Sequence, residues 1–178
     1  MPRYVALLRG INVGGNKKVP MAELRGMATG LGLTDVRTLL QSGNLIFSSR
    51  STAPATLERT LEAATAKTIG VECSYLIREA KDWRAIIEAN PFRAMAKSDP
   101  SHLVVQFCRE TPDPSALQAL RAEARGDEDF SAVGREIFMA FPQGQGESKL
   151  ALAMTRKRLG TICSGRNWNT VLKIAELL

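Results

Sequence analysis

The pattern that most restricts this chain lies at residues 36–49. Two short apolar runs, VRTLL (36–40) and LIFSS (45–49), flank Gln41-Ser42-Gly43-Asn44. Gly43 and Asn44 tolerate positive φ, so the stretch reads as a β-hairpin. What surrounds the hairpin then restricts the fold. RYVALL is apolar enough for a buried strand over about 3–9. Pro20 suits the first position of a helix, and Met21, Leu24, Met27, Ala28 and Leu31 follow helical spacing towards Gly30 and Gly32. Pro54 opens a second helix with Leu57, Leu61 and Ala64 on one face. VECSYLI (71–77) alternates as a strand does. The order is β-α-β-β-α-β, the split βαβ arrangement of ferredoxin-like folds.

The second half echoes that order. EAKDWRAIIEAN (79–90) reads as a linking helix ended by Asn90-Pro91, and SHLVVQFC (101–108) as a strand. PSALQALRAEA (114–124) reads as a helix. DFSAV and EIFMAF flank Gly134-Arg135 as a second hairpin, and SKLALAMTRKRL (148–159) is a helix closed by Gly160. An extra helix is expected from about residue 165, with Ser164 as its cap. The predicted class is α+β: two packed ferredoxin-like lobes with mostly antiparallel sheets, βαββαβ over 1–78 and βαββα with the linking and C-terminal helices over 79–178. No residue-level repeat is visible, only the repeated order. No linker rich in Pro, Gly or Ser separates the halves, so packed lobes are expected.

A chain of 178 residues buries roughly 70% of its unfolded surface and needs no staples. Cys73, Cys108 and Cys163 are odd in number, far apart and without a CxxC, which points away from a disulfide framework and towards a reducing compartment. The run VALL is too short for a signal peptide, and Arg9 interrupts it. Nothing approaches the roughly 20 apolar residues of a membrane span. A cytoplasmic protein is expected, with no membrane contact and with its oligomeric state left open.

Few residues suggest chemistry. In GINVGGNKKVP (10–20), Gly10 and Gly15 have Walker A spacing, but Asn16 stands at the lysine position and Lys17 at the hydroxyl position. Asn12 likewise breaks the dinucleotide fingerprint. What remains is a strand, a glycine loop with Lys17 and Lys18, and a helix start, a geometry suited either to an anion or simply to a turn. SGRNWNTVLKIAELL (164–178) reads as an amphipathic helix with Trp168, Val171, Leu172 and Ala175 on one face. Arg166, Asn169, Thr170 and Lys173 lie opposite. Arg156, Lys157 and Arg158 end the preceding helix, where cations complement its dipole. His102 is the only histidine, and its spacing indicates no catalytic triad. Three dispersed cysteines and one histidine make no zinc site, and no cofactor is expected.

The net charge of +6 is unevenly placed. Residues 1–22 hold four cations and no acid, residues 149–173 hold six and no acid, and the remainder is net negative. Pooled by the fold, these two segments would form one basic surface.

The motifs YxALLRGINVGG (4–15), KxPMAEL (18–24), QSGN (41–44), NPF (90–92) and RNWNT (166–170) together resemble an uncharacterised bacterial family, domain of unknown function 1697. The resemblance runs from the first strand to the last helix. It implies a duplicated α+β unit of ferredoxin-like character and supplies no activity. Its signature falls on polar residues that packing does not require: Arg9, Asn12, Gln41, Ser42, Asn44, Arg166, Asn167 and Asn169. Such residues in loops suggest a shared site.

Two readings follow. In the first, a non-catalytic protein binds a phosphate-bearing partner, most naturally nucleic acid, on a surface where Arg9, Lys17 and Lys18 meet Arg156, Lys157, Arg158 and Arg166. Aromatic content of only 6% weakens base stacking there. In the second, an enzyme or small-ligand protein holds a phosphate or carboxylate between the glycine loop, the QSGN hairpin and the RNWNT helix start. Arg9 and Arg166 would clamp the ligand and the asparagines would orient it. No residue is assigned a catalytic role.

Overall fold

The computed structural model describes residues 1–12, 18–50, 53–156 and 159–178. Its elements run β1 (Arg3–Arg9), α1 (Met21–Gly30), β2 (Thr34–Leu39), β3 (Asn44–Ser48), α2 (Pro54–Thr68), β4 (Ser74–Glu79) and α3 (Ala80–Glu88). Then come α4 (Arg93–Ser98), β5 (Leu103–Cys108), α5 (Pro114–Arg121), β6 (Asp129–Val133), β7 (Glu136–Ala140), α6 (Lys149–Arg156), β8 (Cys163–Asn167) and α7 (Trp168–Leu177). The strands form two four-stranded antiparallel sheets, ordered β2-β3-β1-β4 and β6-β7-β5-β8. The chain divides into two compact units: Met1–Ala85 with Lys173–Leu178, and Ile86–Leu172. Among the described residues no helix is long and apolar enough to cross a membrane.

In the first unit, alternation along β1 directs Tyr4, Ala6 and Leu8 to one face, where they pack with Leu24 and Ala28 of α1 and Leu57 and Leu61 of α2. β4 is an edge strand, and its outward N–H groups need partners. Helix α2 supplies two of them. Glu58 Oε1 accepts from Ile77 N at 2.9 Å and Glu62 Oε1 from Tyr75 N at 3.1 Å. One helical turn, about 5.4 Å, lies close to the roughly 6.6 Å between alternate strand residues, so i and i+4 on α2 meet i and i−2 on β4. Tyr75 shares a 2.6 Å hydrogen bond with Thr65, and burial pushes its phenol well above its ordinary pKa. The chain ends also meet in this unit, where Arg3 Nη1 donates to Leu178 O at 3.3 Å.

In the second unit, Val104, Cys108, Ile137 and Met139 pack with Leu120 of α5 and with Leu150 and Ala153 of α6. Asp113 caps α5 by accepting from Ser115 N at 2.8 Å, just before Pro114 at the first helical position. Two expectations are corrected here. Residues 163–167 are not the start of the last helix; they form β8, which gives this unit the same βαββαβ order as the first. Also, Cys108 and Cys163 form a disulfide. They are 55 residues apart in the chain, yet they are direct partners in the β5–β8 register, a proximity that spacing along the sequence cannot reveal.

The registers expose a repeat that residue identity hides. Adding 100 to a position in β1 gives its counterpart in β5, since Leu7↔Asn44 corresponds to Phe107↔Glu136 and Val5↔Arg78 to Val105↔Arg166. Each last strand thus carries an arginine at the same place, and both are buried, Arg78 at 1% exposure and Arg166 at 7%. Each bonds the carbonyl of the residue before it, Arg78 Nη1 to Ile77 O at 2.9 Å and Arg166 Nη1 to Gly165 O at 2.8 Å.

Candidate functional site

β1 ends at the exposed Arg9, and Gly10 turns the chain with φ +78°. Ile11 then plugs the core, and Asn12 adopts φ +54°, a conformation that asparagine tolerates better than most residues. The Asn12 side chain is a staple. Its Nδ2 donates to Gln41 O at 2.6 Å and to Val19 O at 3.4 Å, while its Oδ1 accepts from Val19 N at 3.0 Å. One amide therefore closes the glycine loop on itself and ties it to the β2–β3 turn.

The turn is built to receive it. Leu8 N donates to Gly43 O at 2.9 Å. Asn44, fully buried, donates from Nδ2 to Leu39 O at 2.7 Å and to Ser42 Oγ at 3.3 Å. Asn12 and Asn44 therefore shape the site's backbone, a supporting role rather than the ligand contact expected of them. Arg9, Lys18, Gln41 and Ser42 remain exposed at the same end of the sheet. Lys17 lies outside the described residues.

The C-terminal candidates separate. Arg166 is not on a solvated helix face. It lies on β8, buried, bonding Ser164 Oγ at 2.8 Å as well as Gly165 O, and burial lowers its pKa to about 10. The helical reading failed because a strand of five residues, Cys-Ser-Gly-Arg-Asn, is too short and too polar to show its period. Asn167, not Ser164, caps α7. Its Oδ1 accepts from Asn169 N at 2.9 Å, and its Nδ2 holds Ser101 O at 2.5 Å. Asn169 is exposed in the first turn of α7. Leu172, expected on the buried face, is 38% exposed, and Ile174 is buried in its place. Arg156 closes α6, but its side chain, Lys157 and Arg158 lie outside the described residues.

His102 joins a short polar chain. Its Nδ1 lies 2.6 Å from Asp99 Oδ2, and Ser101 Oγ donates to Asp99 Oδ1 at 2.7 Å. The bonds from Ser101 and then His102 hold the Asp99 carboxyl below its ordinary pKa. The carboxylate stands between serine and histidine, whereas nucleophilic catalysis needs the histidine in the middle. Among the described residues no group of three or more His, Cys, Asp and Glu is placed to hold a metal.

What the structure assembles from the sequence candidates is one end of the first sheet. Two cations and two neutral hydrogen-bonding side chains stand there on a loop and a turn stapled by Asn12. A family model described as "Protein of unknown function (DUF1697)" matches residues 1–138. The chain is also similar to the conserved bacterial protein SP0830 from Streptococcus pneumoniae, at 29% identity and a TM-score of 0.80, over 99% of this chain and 98% of that one. No curated protein matches it.

Proposed function

The chain belongs to the DUF1697 family, and for this member we propose a binding protein that takes a small phosphate-bearing ligand at the end of the first sheet. Arg9 and Lys18 supply charge suited to a phosphate monoester dianion, and Gln41 and Ser42 supply neutral hydrogen bonds. The observation that carries this reading is the Asn12 staple, whose hydrogen bonds to Val19 and Gln41 tie Arg9 and Lys18 to the turn that holds Gln41 and Ser42. The broader nucleic-acid surface is the weaker reading, because it relied on Arg166, which is buried. The Cys108–Cys163 disulfide weighs against the cytoplasmic location expected from the sequence, and the proposal does not depend on that location.

Calorimetric titration with inorganic phosphate and phosphate monoesters tests it. The wild-type chain binds at least one of them, and the Arg9→Ala/Lys18→Ala double variant binds about tenfold more weakly, the equivalent of about 1.4 kcal/mol. Arg166→Ala lowers the melting temperature and leaves binding unchanged. Salt-sensitive binding of single-stranded oligonucleotides without any small-ligand response returns the assignment to nucleic acid, and no response to either class ends it.

A further inference from the structure

A cavity of about 420 Å³ opens in the second unit, within the size range of small-molecule sites. Its walls come from the end of α3, from α4 and from the first residue of α7: Ile87, Glu88, Asn90, Arg93, Lys97 and Trp168, with Ala96 completing the floor. The wall is mostly apolar, and its two most buried residues carry polar atoms. Asn90 is 3% exposed and Trp168 is 4% exposed.

The Asn90 amide is half used. Pro91 has no N–H to offer, so Asn90 Oδ1 accepts from Phe92 N at 2.9 Å in a tight Asx turn. Its Nδ2 has no hydrogen-bond partner among the described residues, and neither has the Trp168 indole N–H, whose ring meets Phe138 at 6.5 Å. Neither atom is sealed from solvent, so each can reach a ligand that enters the cavity. Two unpartnered donors thus line one cavity, and both come from motifs, NPF and RNWNT, that the polar end of the first sheet does not use. Arg93 and Lys97 stand exposed at the rim, with Arg93 Nη2 bonded to Glu88 O at 3.1 Å. The Glu88 carboxylate offsets one of these cations, so the lining is net positive by one charge.

We propose that this cavity binds a small monocarboxylate with a compact apolar body. The carboxylate accepts from Asn90 Nδ2 and the Trp168 N–H, and Arg93 and Lys97 balance its single charge. The apolar remainder lies against Ile87, Ala96 and the indole ring. A dianion fits less well, since Glu88 opposes the second charge. The site is distinct in residues and in ligand from the phosphate site proposed above.

The test uses the full chain with benzoate and isovalerate as probes, benzamide as the neutral counterpart, and inorganic phosphate. Thermal shift and tryptophan fluorescence are the readouts. Benzoate or isovalerate binds, and benzamide and phosphate bind about tenfold more weakly or not at all. Asn90→Asp keeps the acceptor for Phe92 N but presents a negative group to the cavity, so carboxylate binding falls by about tenfold or more. Trp168→Phe keeps one aromatic ring, loses the N–H donor and part of the apolar wall, and weakens binding severalfold by thermal shift. If Asn90→Asp fails to fold, the exposed pair Arg93→Met/Lys97→Met decides, with the same loss expected. Benzamide binding as well as benzoate, unchanged affinity in these variants, or no wild-type response to either acid overturns the proposal. Arg9→Ala leaves this binding intact, which separates its failure from that of the phosphate site.

Discussion

Gly43 has no room for a methyl group. A Cβ there would lie 2.7 Å from Ile11 Cδ1 and 2.8 Å from Leu8 Cβ, and its φ of +79° is unfavourable to any other residue but asparagine or aspartate. Gly43→Ala is therefore expected to destabilise the chain by about 2–4 kcal/mol, combining backbone strain with displacement of core side chains. Urea denaturation measures it. The same substitution at Gly70, where φ is +74° but nothing lies within 4 Å, is expected to show only the backbone part. At this scale the sequence was readable for the turn and misleading for the asparagines. Asn12 and Asn44 look like ligand contacts because they are polar and lie in loops. Their amides instead hold backbone carbonyls that appear only once two connections 29 residues apart are brought together. Arg166 misleads the same way: guanidinium chemistry suggests a surface, and the strand's register puts it in the interior.

Helix starts were the most legible elements. Asp113-Pro114 and Pro54 mark α5 and α2 because capping and a fixed proline φ are local effects. Bonds from the Ser115 hydroxyl and N–H hold the Asp113 carboxyl below its ordinary pKa. A carboxyl lowered on folding stabilises above its unfolded pKa of about 4, and that contribution drains away as pH falls through the folded value. Asp113→Asn is thus expected to narrow the difference in melting temperature between pH 7 and pH 3, measured by circular dichroism. β8 was the element sequence reasoning missed. Its pairing with β5 supplies order that five mostly small and polar residues cannot show by themselves. α4 went unseen because NPF reads as a stop, while only the four residues Ala89 to Phe92 separate α3 from the start of the new helix.

For the whole molecule, the Cys108–Cys163 bond is the feature most open to a direct measurement. Thiol titration of the unreduced, denatured chain is expected to find Cys73 alone, and all three cysteines after reduction. Closing a loop of 55 residues stabilises by roughly 4 kcal/mol in the chain-entropy model, so reduction is expected to lower the urea midpoint accordingly. Three thiols before reduction would instead indicate a protein held reduced, as a cytoplasmic location implies. The sequence by itself determined the α+β class, the two hairpins and the βαββα order that both halves share, because hydrophobic period, proline and glycine act within a few residues of chain. Tertiary structure alone decided that each last strand carries a buried arginine, that two distant cysteines face each other, and that Asn90 and Trp168 share a cavity. Those facts depend on strand register and on helix-to-strand contact, and a pairing between segments tens of residues apart leaves no mark on either segment taken alone.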